Sequence, residues 1–188
     1  MKIDFLKTLN KIRRGPAIML QKDIGVILAN TSIDKNSRVL DAGSGCGILT
    51  SNLARFVKRV YSYDNRKEFL EAAKDNSKKF GLKNITFRNK DVYEEIKEKN
   101  LDLITLDLRE PWRALKNAYN ALRKDGMLVC FSPHITQTNK VIEEAKNDFK
   151  LVNIKEIIER DWVVENKRMR PEHTGILHTG FIIFLRKI

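Results

Sequence analysis

At 188 residues and 21.8 kDa, the chain is sized for one domain with a full core and is too short for two ordinary ones. No apolar run approaches the roughly 20 residues of a membrane span, and residues 1–16 carry charges where a secretion signal needs an apolar core, so a cytoplasmic location is expected. Thirty-six Lys and Arg against 24 Asp and Glu give a net charge of +12, which suits a polyanionic partner such as nucleic acid and equally suits a lysine-rich surface.

In chain order, the first 37 residues read as a helical lead-in, strongest from Pro16 to Ala29. A basic lead-in over residues 1–30 is expected to pack on a single main domain at 31–188. VLD (39–41) is predicted as the first strand and Gly47 to about Val57 as the first helix. RVYSYD (59–64) is a second strand ending in an acid. From Lys67 to Phe80 the pattern is helical, with Phe69, Leu70, Ala73 and Phe80 near one face and Gly81 as the stop. ITFRN (85–89) is a third strand, ending near Asp91, and LDLITLDL (101–108) is apolar enough for a central one. Trp112 to Leu122 reads as helix, and the DG pair at 125–126 turns into a strand MLVCF (127–131). Thr136 to about Phe149 is helical again. Segments 151–165 and 175–187 are both β-rich, with no helix between them. Alternating strands and helices imply a parallel doubly wound sheet, and the two closing strands imply an antiparallel hairpin at one edge. That combination is an α/β, Rossmann-like fold of the class I methyltransferase kind: a mostly parallel seven-stranded sheet with helices on both faces.

The chemistry concentrates in RVLDAGSGCG (38–47), a strand running into Asp41 and then glycines at 43, 45 and 47. A dinucleotide fingerprint would need glycine at 48, where Ile48 stands. A turn this bare, with no cradle for a pyrophosphate, suits the adenosyl group of S-adenosylmethionine (SAM). Backbone N–H groups of Cys46, Gly47, Ile48 and Leu49 open the first helix and can reach ligand oxygens. Ligands of such sheets sit beyond the carboxyl ends of the strands, where Asp41, Asp64, Asp91 and Asp107 fall. Asp64 can accept the ribose hydroxyls, Asp91 the adenine amine, and Asp41 lies toward the sulfonium and amino end. Each acid alone reads equally as a turn former; four in register behind G-x-G-x-G favour the cofactor. Asp107 also opens DLREPW (107–112), beside the expected position of the transferred methyl. Cys46 and Cys130, and His134, His173 and His178, show no metal-ligand spacing, so neither a metal site nor a disulfide is expected.

The chain resembles the tRNA adenine-N1 methyltransferase family, which methylates a T-loop adenosine. The matching pieces are RRGPAIMLQKD (13–23), VLDAGSGCGILT (39–50), DLREPW, FSPHITQTNKVIE (131–143) and RMRPEHTGILHTGFIIFLRK (168–187). The resemblance implies that Asp107 is the catalytic carboxylate, that Asp64 and Asp91 bind the cofactor, and that the assembly is a homotetramer. Arg13, Arg14, Lys167, Arg168 and Arg170 are candidate contacts to tRNA phosphates, or ordinary solvated charges. Family members usually carry a small β-rich domain before the RRGP segment, and only 12 residues precede Arg13 here. Leu20, Gln21 and Phe131 replace residues frequent in the family, a Tyr or His, a Pro and a Tyr. Two other readings remain open from the residues: a small-molecule methyltransferase of the corrinoid-pathway kind, and a non-catalytic RNA-binding subunit.

Overall fold

Of the 188 residues, the computed structural model describes 4–9, 11, 12, 15, 18–165 and 168–188. Helices α1 (Phe5–Leu9) and α2 (Gln21–Asn30) precede strand β1 (Arg38–Ala42), α3 (Ile48–Ala54), β2 (Arg59–Tyr63), α4 (Lys67–Lys79), β3 (Ile85–Arg88) and β4 (Leu101–Asp107). A 3-10 turn (Pro111–Ala114) leads into α5 (Leu115–Ala121), then β5 (Leu122–Ser132) and α6 (Ile135–Ala145). The chain closes with β6 (Phe149–Lys155), β7 (Trp162–Glu165), β8 (Arg168–Pro171) and β9 (Phe181–Lys187).

Seven strands make one sheet in the order β3-β2-β1-β4-β5-β9-β6, and β7 pairs with β8 in a separate ribbon. Strands β1 to β5 are parallel, and β9 runs antiparallel between β5 and β6. The expected parallel sheet with a closing antiparallel hairpin is therefore present. Both faces of the sheet are apolar, as coverage on both sides demands. Leu40, Ile104, Leu128 and Ile183 pack in one core with Ala118 of α5 and Val141 of α6. Their strand neighbours Val39, Leu103, Val129 and Phe184 pack in a second core with Ile24 and Ile27 of α2 and Leu49 and Leu53 of α3. Phe5 stacks on Phe80 at 4.3 Å, which fastens α1 to the end of α4. Gly81, at φ 70°, ends α4 as expected.

Several boundaries differ from expectation. Helix α2 starts at Gln21, five positions after Pro16, because extended Leu20 forms its N-cap; Pro16 and Ala17 lie outside the described residues. Pro111 opens a 3-10 turn before α5, so the expected single helix at 112–122 is divided. The DG turn is absorbed into β5: Asp125 takes φ 60°, and the pairing with β4 shifts register between Leu101 and Leu103. Segment 151–165 is not one strand, since the β7–β8 ribbon leaves the main sheet between β6 and β9. What matters for function is the alignment of strand ends. Ala42 pairs with Tyr63 and Tyr63 with Arg88, while Leu106 sits opposite Ala42. Asp41, Asp64, Asp91 and Asp107 are thereby brought to one edge of the sheet.

Candidate active site

The loop after β1 is tied to the end of β2. Tyr63 O accepts from the N–H groups of Gly43 and Ser44 at 3.0 and 3.2 Å and from Ser44 Oγ at 3.0 Å. Two of its glycines are required by close approach: a Cβ on Gly43 would lie 2.0 Å from Asp107 O, and one on Gly47 2.8 Å from Ala73 Cβ. Gly45 differs, since a Cβ there would meet nothing nearer than Gly43 O at 3.9 Å. Its bare face is open.

Two cavities adjoin this loop. The larger, about 270 Å3, is lined by Gly43, Asp64, Arg66, Asp91, Tyr93 and Asp107 among others. The smaller, about 30 Å3, is lined by Met19, Asp41, Gly45, Cys46, Ile48, Leu49 and again Asp107. All four strand-end acids therefore face one composite cleft, and Asp107 borders both parts of it.

The acids are not equivalent. Asp41 is fully buried; its oxygens accept from Thr50 Oγ1 at 2.5 Å and Thr105 Oγ1 at 2.8 Å. Burial raises its pKa, and the two threonines oppose the rise. Both of its oxygens are already engaged, so Asp41 fixes the floor of the smaller cavity from within. Asp64 accepts from Gly45 N and Arg66 N, each at 3.0 Å, and pairs with Arg66 Nε at 3.3 Å. Asp91 accepts from Tyr93 N at 2.9 Å and Asn65 Nδ2 at 3.2 Å. The Asp107 carboxylate accepts none of the side-chain hydrogen bonds found among the described residues. Its side chain opens to the cleft while protein atoms crowd its other sides. The loss of hydration, and next the charge of Asp41, push its pKa up to about 7, with Arg66 pulling the other way.

The donor set fits an adenosyl amino acid. Carboxylates at Asp64 and Asp91 suit hydroxyl and amine donors, and the open face of Gly45 leaves room for a flat group. The first turn of α3 adds N–H groups without helical partners at Ile48 and Leu49. Gly47 does not join them, since its N–H donates to Ser44 O at 2.8 Å. The basic candidates are elsewhere. Arg168 and Arg170 lie exposed on β8, away from both cavities, and Arg13, Arg14 and Lys167 fall outside the described residues.

Sequence reasoning missed the supports of this site. Tyr93 and Arg66 each follow a strand-end aspartate by two residues and donate a backbone N–H back to it. That D-x-[RY] spacing is a turn signal the sequence did carry. A buried polar cluster has no such signal. Lys22 Nζ donates to Asp23 Oδ1 (2.9 Å), Ile157 O (2.8 Å) and Thr179 Oγ1 (2.6 Å), and Thr179 Oγ1 donates to Asp23 Oδ2 (2.9 Å). The next two links are neighbours of Thr179. His178 faces Glu156 and Pro133 O at 2.6 and 3.0 Å, two acceptors that raise its pKa. Gly180 lies so close to β5 that a Cβ would meet Phe131 Cζ at 2.6 Å. His178, Thr179 and Gly180 thus clasp β5, α2 and the segment after β6 beside Asp107's partner strand.

A family model described as tRNA methyltransferase complex GCD14 subunit matches residues 6–186. The chain is 34% identical to a tRNA (adenine(57)-N(1)/adenine(58)-N(1))-methyltransferase of Methanocaldococcus jannaschii, covering 95% of this chain and 74% of that one. A solved tRNA (m1A58) methyltransferase from Aquifex aeolicus superposes with a TM-score of 0.91 at 30% identity, over 96% of this chain and 74% of that one. A solved SAM-dependent O-methyltransferase from Thermotoga maritima gives 0.90 at 26% identity, over 99% and 72%. Corrinoid-pathway enzymes of known structure, at 19% and 14% identity, share the fold alone. The match across nearly the whole chain, on a fold with this glycine loop and these strand-end acids, makes the chain a member of the tRNA methyltransferase family.

Proposed function

We infer that the chain is a SAM-dependent methyltransferase acting on N1 of a T-loop adenosine in tRNA. One observation carries the reading: Asp107 stands where the two cavities meet and opens the DLREPW loop. When bound, SAM supplies a methyl group on a sulfonium, ready for a neutral nucleophile. Asp64 and Asp91 hold its ribose and adenine, and the loop from Gly43 to Leu49 holds the amino-acid end, over Asp41. Adenine N1 has a free lone pair, so the protein need not remove a proton to expose it. Ionised Asp107 accepts from the adenine N6 amine, which aims N1 at the methyl and favours the cationic ring that forms. A T-loop base is stacked in folded tRNA and must be flipped out to reach this depth.

Arg168 and Arg170, with Arg13, Arg14 and Lys167, serve as the phosphate contacts. Exposed Trp162, Val164 and Met169 on the β7–β8 ribbon, with Ile158, Ile176 and Leu177 beside it, support association of copies into the expected homotetramer. No helix among the described residues is long and apolar enough to cross a membrane, and a cytoplasmic location accords with tRNA as substrate. The test is direct: incubate the protein with SAM and unmodified tRNA transcript, then map methylated nucleosides by mass spectrometry. 1-Methyladenosine in the T-loop is expected, and its absence from the RNA overturns the reading.

A further inference from the structure

The chain leaves β4 at Asp107 and passes through Leu108, Arg109 and Glu110 before Pro111 begins the 3-10 turn. One peptide unit in this loop, joining Arg109 to Glu110, is gripped at both ends by side chains from other elements. Its N–H, on Glu110, donates to Tyr93 Oη at 3.2 Å. Its C=O, on Arg109, accepts from Gln137 Nε2 at 3.0 Å. Tyr93 comes from the wall of the larger cavity, and Gln137 from the first turn of α6.

Both grips are themselves fixed. Tyr93 donates its N–H to Asp91 Oδ1 at 2.9 Å, and its carbonyl accepts from Asn117 Nδ2 at 3.0 Å. The Arg113 guanidinium covers its ring at 4.6 Å and is held in turn by Glu110 at 3.0 Å. Gln137 is half-buried, and its Oε1 is shut off from solvent without a partner among the described residues. An acceptor left unmet in this way is costly. The carboxamide is thus kept in place for what its other end does, which is to hold Arg109 O.

We propose that Tyr93 and Gln137 are positioning residues for methyl transfer: together they lock the Arg109–Glu110 peptide and so set the loop that follows Asp107. A peptide plane can turn between its two flanking α-carbons with little movement of either neighbour. Hydrogen bonds on its two opposite ends remove that freedom. With the plane locked, the mouth through which the acceptor base approaches Asp107 keeps one shape, and small misplacements of reacting groups are expensive in rate. Tyr93 reaches the loop from the cofactor side, through Asp91, and Gln137 from the opposite side. The proposal rests on the tRNA methyltransferase reading above.

The test uses Tyr93→Phe, which removes one oxygen, and Gln137→Leu, on a different element. Single-turnover transfer to tRNA transcript is measured beside SAM affinity by calorimetry, tRNA affinity, thermal midpoint and hydrogen exchange at the Glu110 amide. Each variant should slow transfer about 10- to 100-fold, up to the scale of a reacting group displaced by an ångström, while SAM and tRNA affinities stay within about twofold. The double variant should lose much less than the product of the two, because both act on one peptide. The Glu110 amide should exchange faster in Tyr93→Phe. Unchanged transfer in both variants overturns the proposal. So does a SAM affinity that falls in step with rate in Tyr93→Phe, since Tyr93 would then only build the cofactor wall. Should Tyr93→Phe fail to fold, Gln137→Leu decides by the same measurements. A wild-type protein that methylates no tRNA overturns the functional reading instead, and the Glu110 exchange comparison still decides whether the lock exists.

Discussion

Asp107 has the titration most directly open to experiment. Its carboxyl stands near pH 7 in the free protein, raised first by lost hydration and then by Asp41. Either form has an oxygen that can accept from the adenine amine, but only the ionised form carries the charge that favours a cationic ring. At a pKa of 7, about one molecule in eleven is ionised at pH 6 and about ten in eleven at pH 8. The kcat/KM for SAM, which reports the free enzyme, should therefore climb about tenfold between these values. The kcat reports the complex, where the sulfonium draws the carboxyl down, so its break should lie at lower pH. Asp107→Asn should lower the transfer rate about 10²–10³-fold, the scale of losing one preorganised electrostatic partner. The assay is radiolabelled methyl transfer to tRNA transcript from pH 5.5 to 8.5. The ratio of wild type to variant cancels any titration of the methyl donor itself. A ratio flat in pH refutes the assignment of the ionised carboxylate to the reaction. Folding stability has the opposite sign: a carboxyl whose folded pKa lies above its unfolded value makes the fold less stable as pH rises from about 4 toward 7. Water in the cleft moderates that contribution, because the side chain is open to it.

Asp64→Ala should weaken SAM binding about 10- to 100-fold in calorimetry through lost hydrogen bonds to a charged group; unchanged affinity would remove Asp64 from the site. Gly43→Ala should cost about 2 kcal/mol or more in chemical denaturation, since its Cβ meets Asp107 O at φ 79°, whereas Gly25→Ala, with nothing within 4 Å inside α2, should add about 0.5–1 kcal/mol. Asp23→Leu should cost about 3–5 kcal/mol, because it leaves the Lys22 ammonium buried without its anion; the double change with Lys22→Met should recover most of that loss, and failure to recover refutes the charge argument. Arg168→Ala with Arg170→Ala should flatten the slope of log tRNA affinity against log salt by about two units, and an unchanged slope places the RNA grip elsewhere.

Local pattern made the strands, the glycine loop and the four acids readable in the sequence, because each follows from short-range periodicity or from where a parallel strand must end. Asp107 was legible for its place before Pro111, yet its carboxylate's lack of hydrogen-bond partners among the described residues was not. The polar ties that fasten the elements together come from pairings across the chain. Lys22 meets Thr179 over 157 positions, and Arg38 N meets Asp102 over 64. No periodicity encodes such partners. Boundaries slipped where tertiary contacts overrode local preference, as at Leu20, where α2 is docked by the Lys22–Asp23–Thr179 cluster. In β5, pairing with β4 carried the strand through a DG pair that reads locally as its start.

Strand order carries a consequence for how the sheet is assembled. β5 lies against β9, and β6 reaches the sheet only through β9. Until residues 181–187 are available, a growing chain holds β5 with one open edge and β6 with no strand to join. The backbone N–H and C=O groups of β5 along that edge then stand unpaired, a template for any passing strand and a hazard for aggregation. Closure brings together residues more than fifty positions apart, such as Met127 and Arg186, and so belongs among the slower steps of folding. The same closure seats Thr179 against Lys22 and Asp23 of α2, and Gly180 against Phe131 of β5. Completion of the sheet and the fastening of α2 onto it are one event.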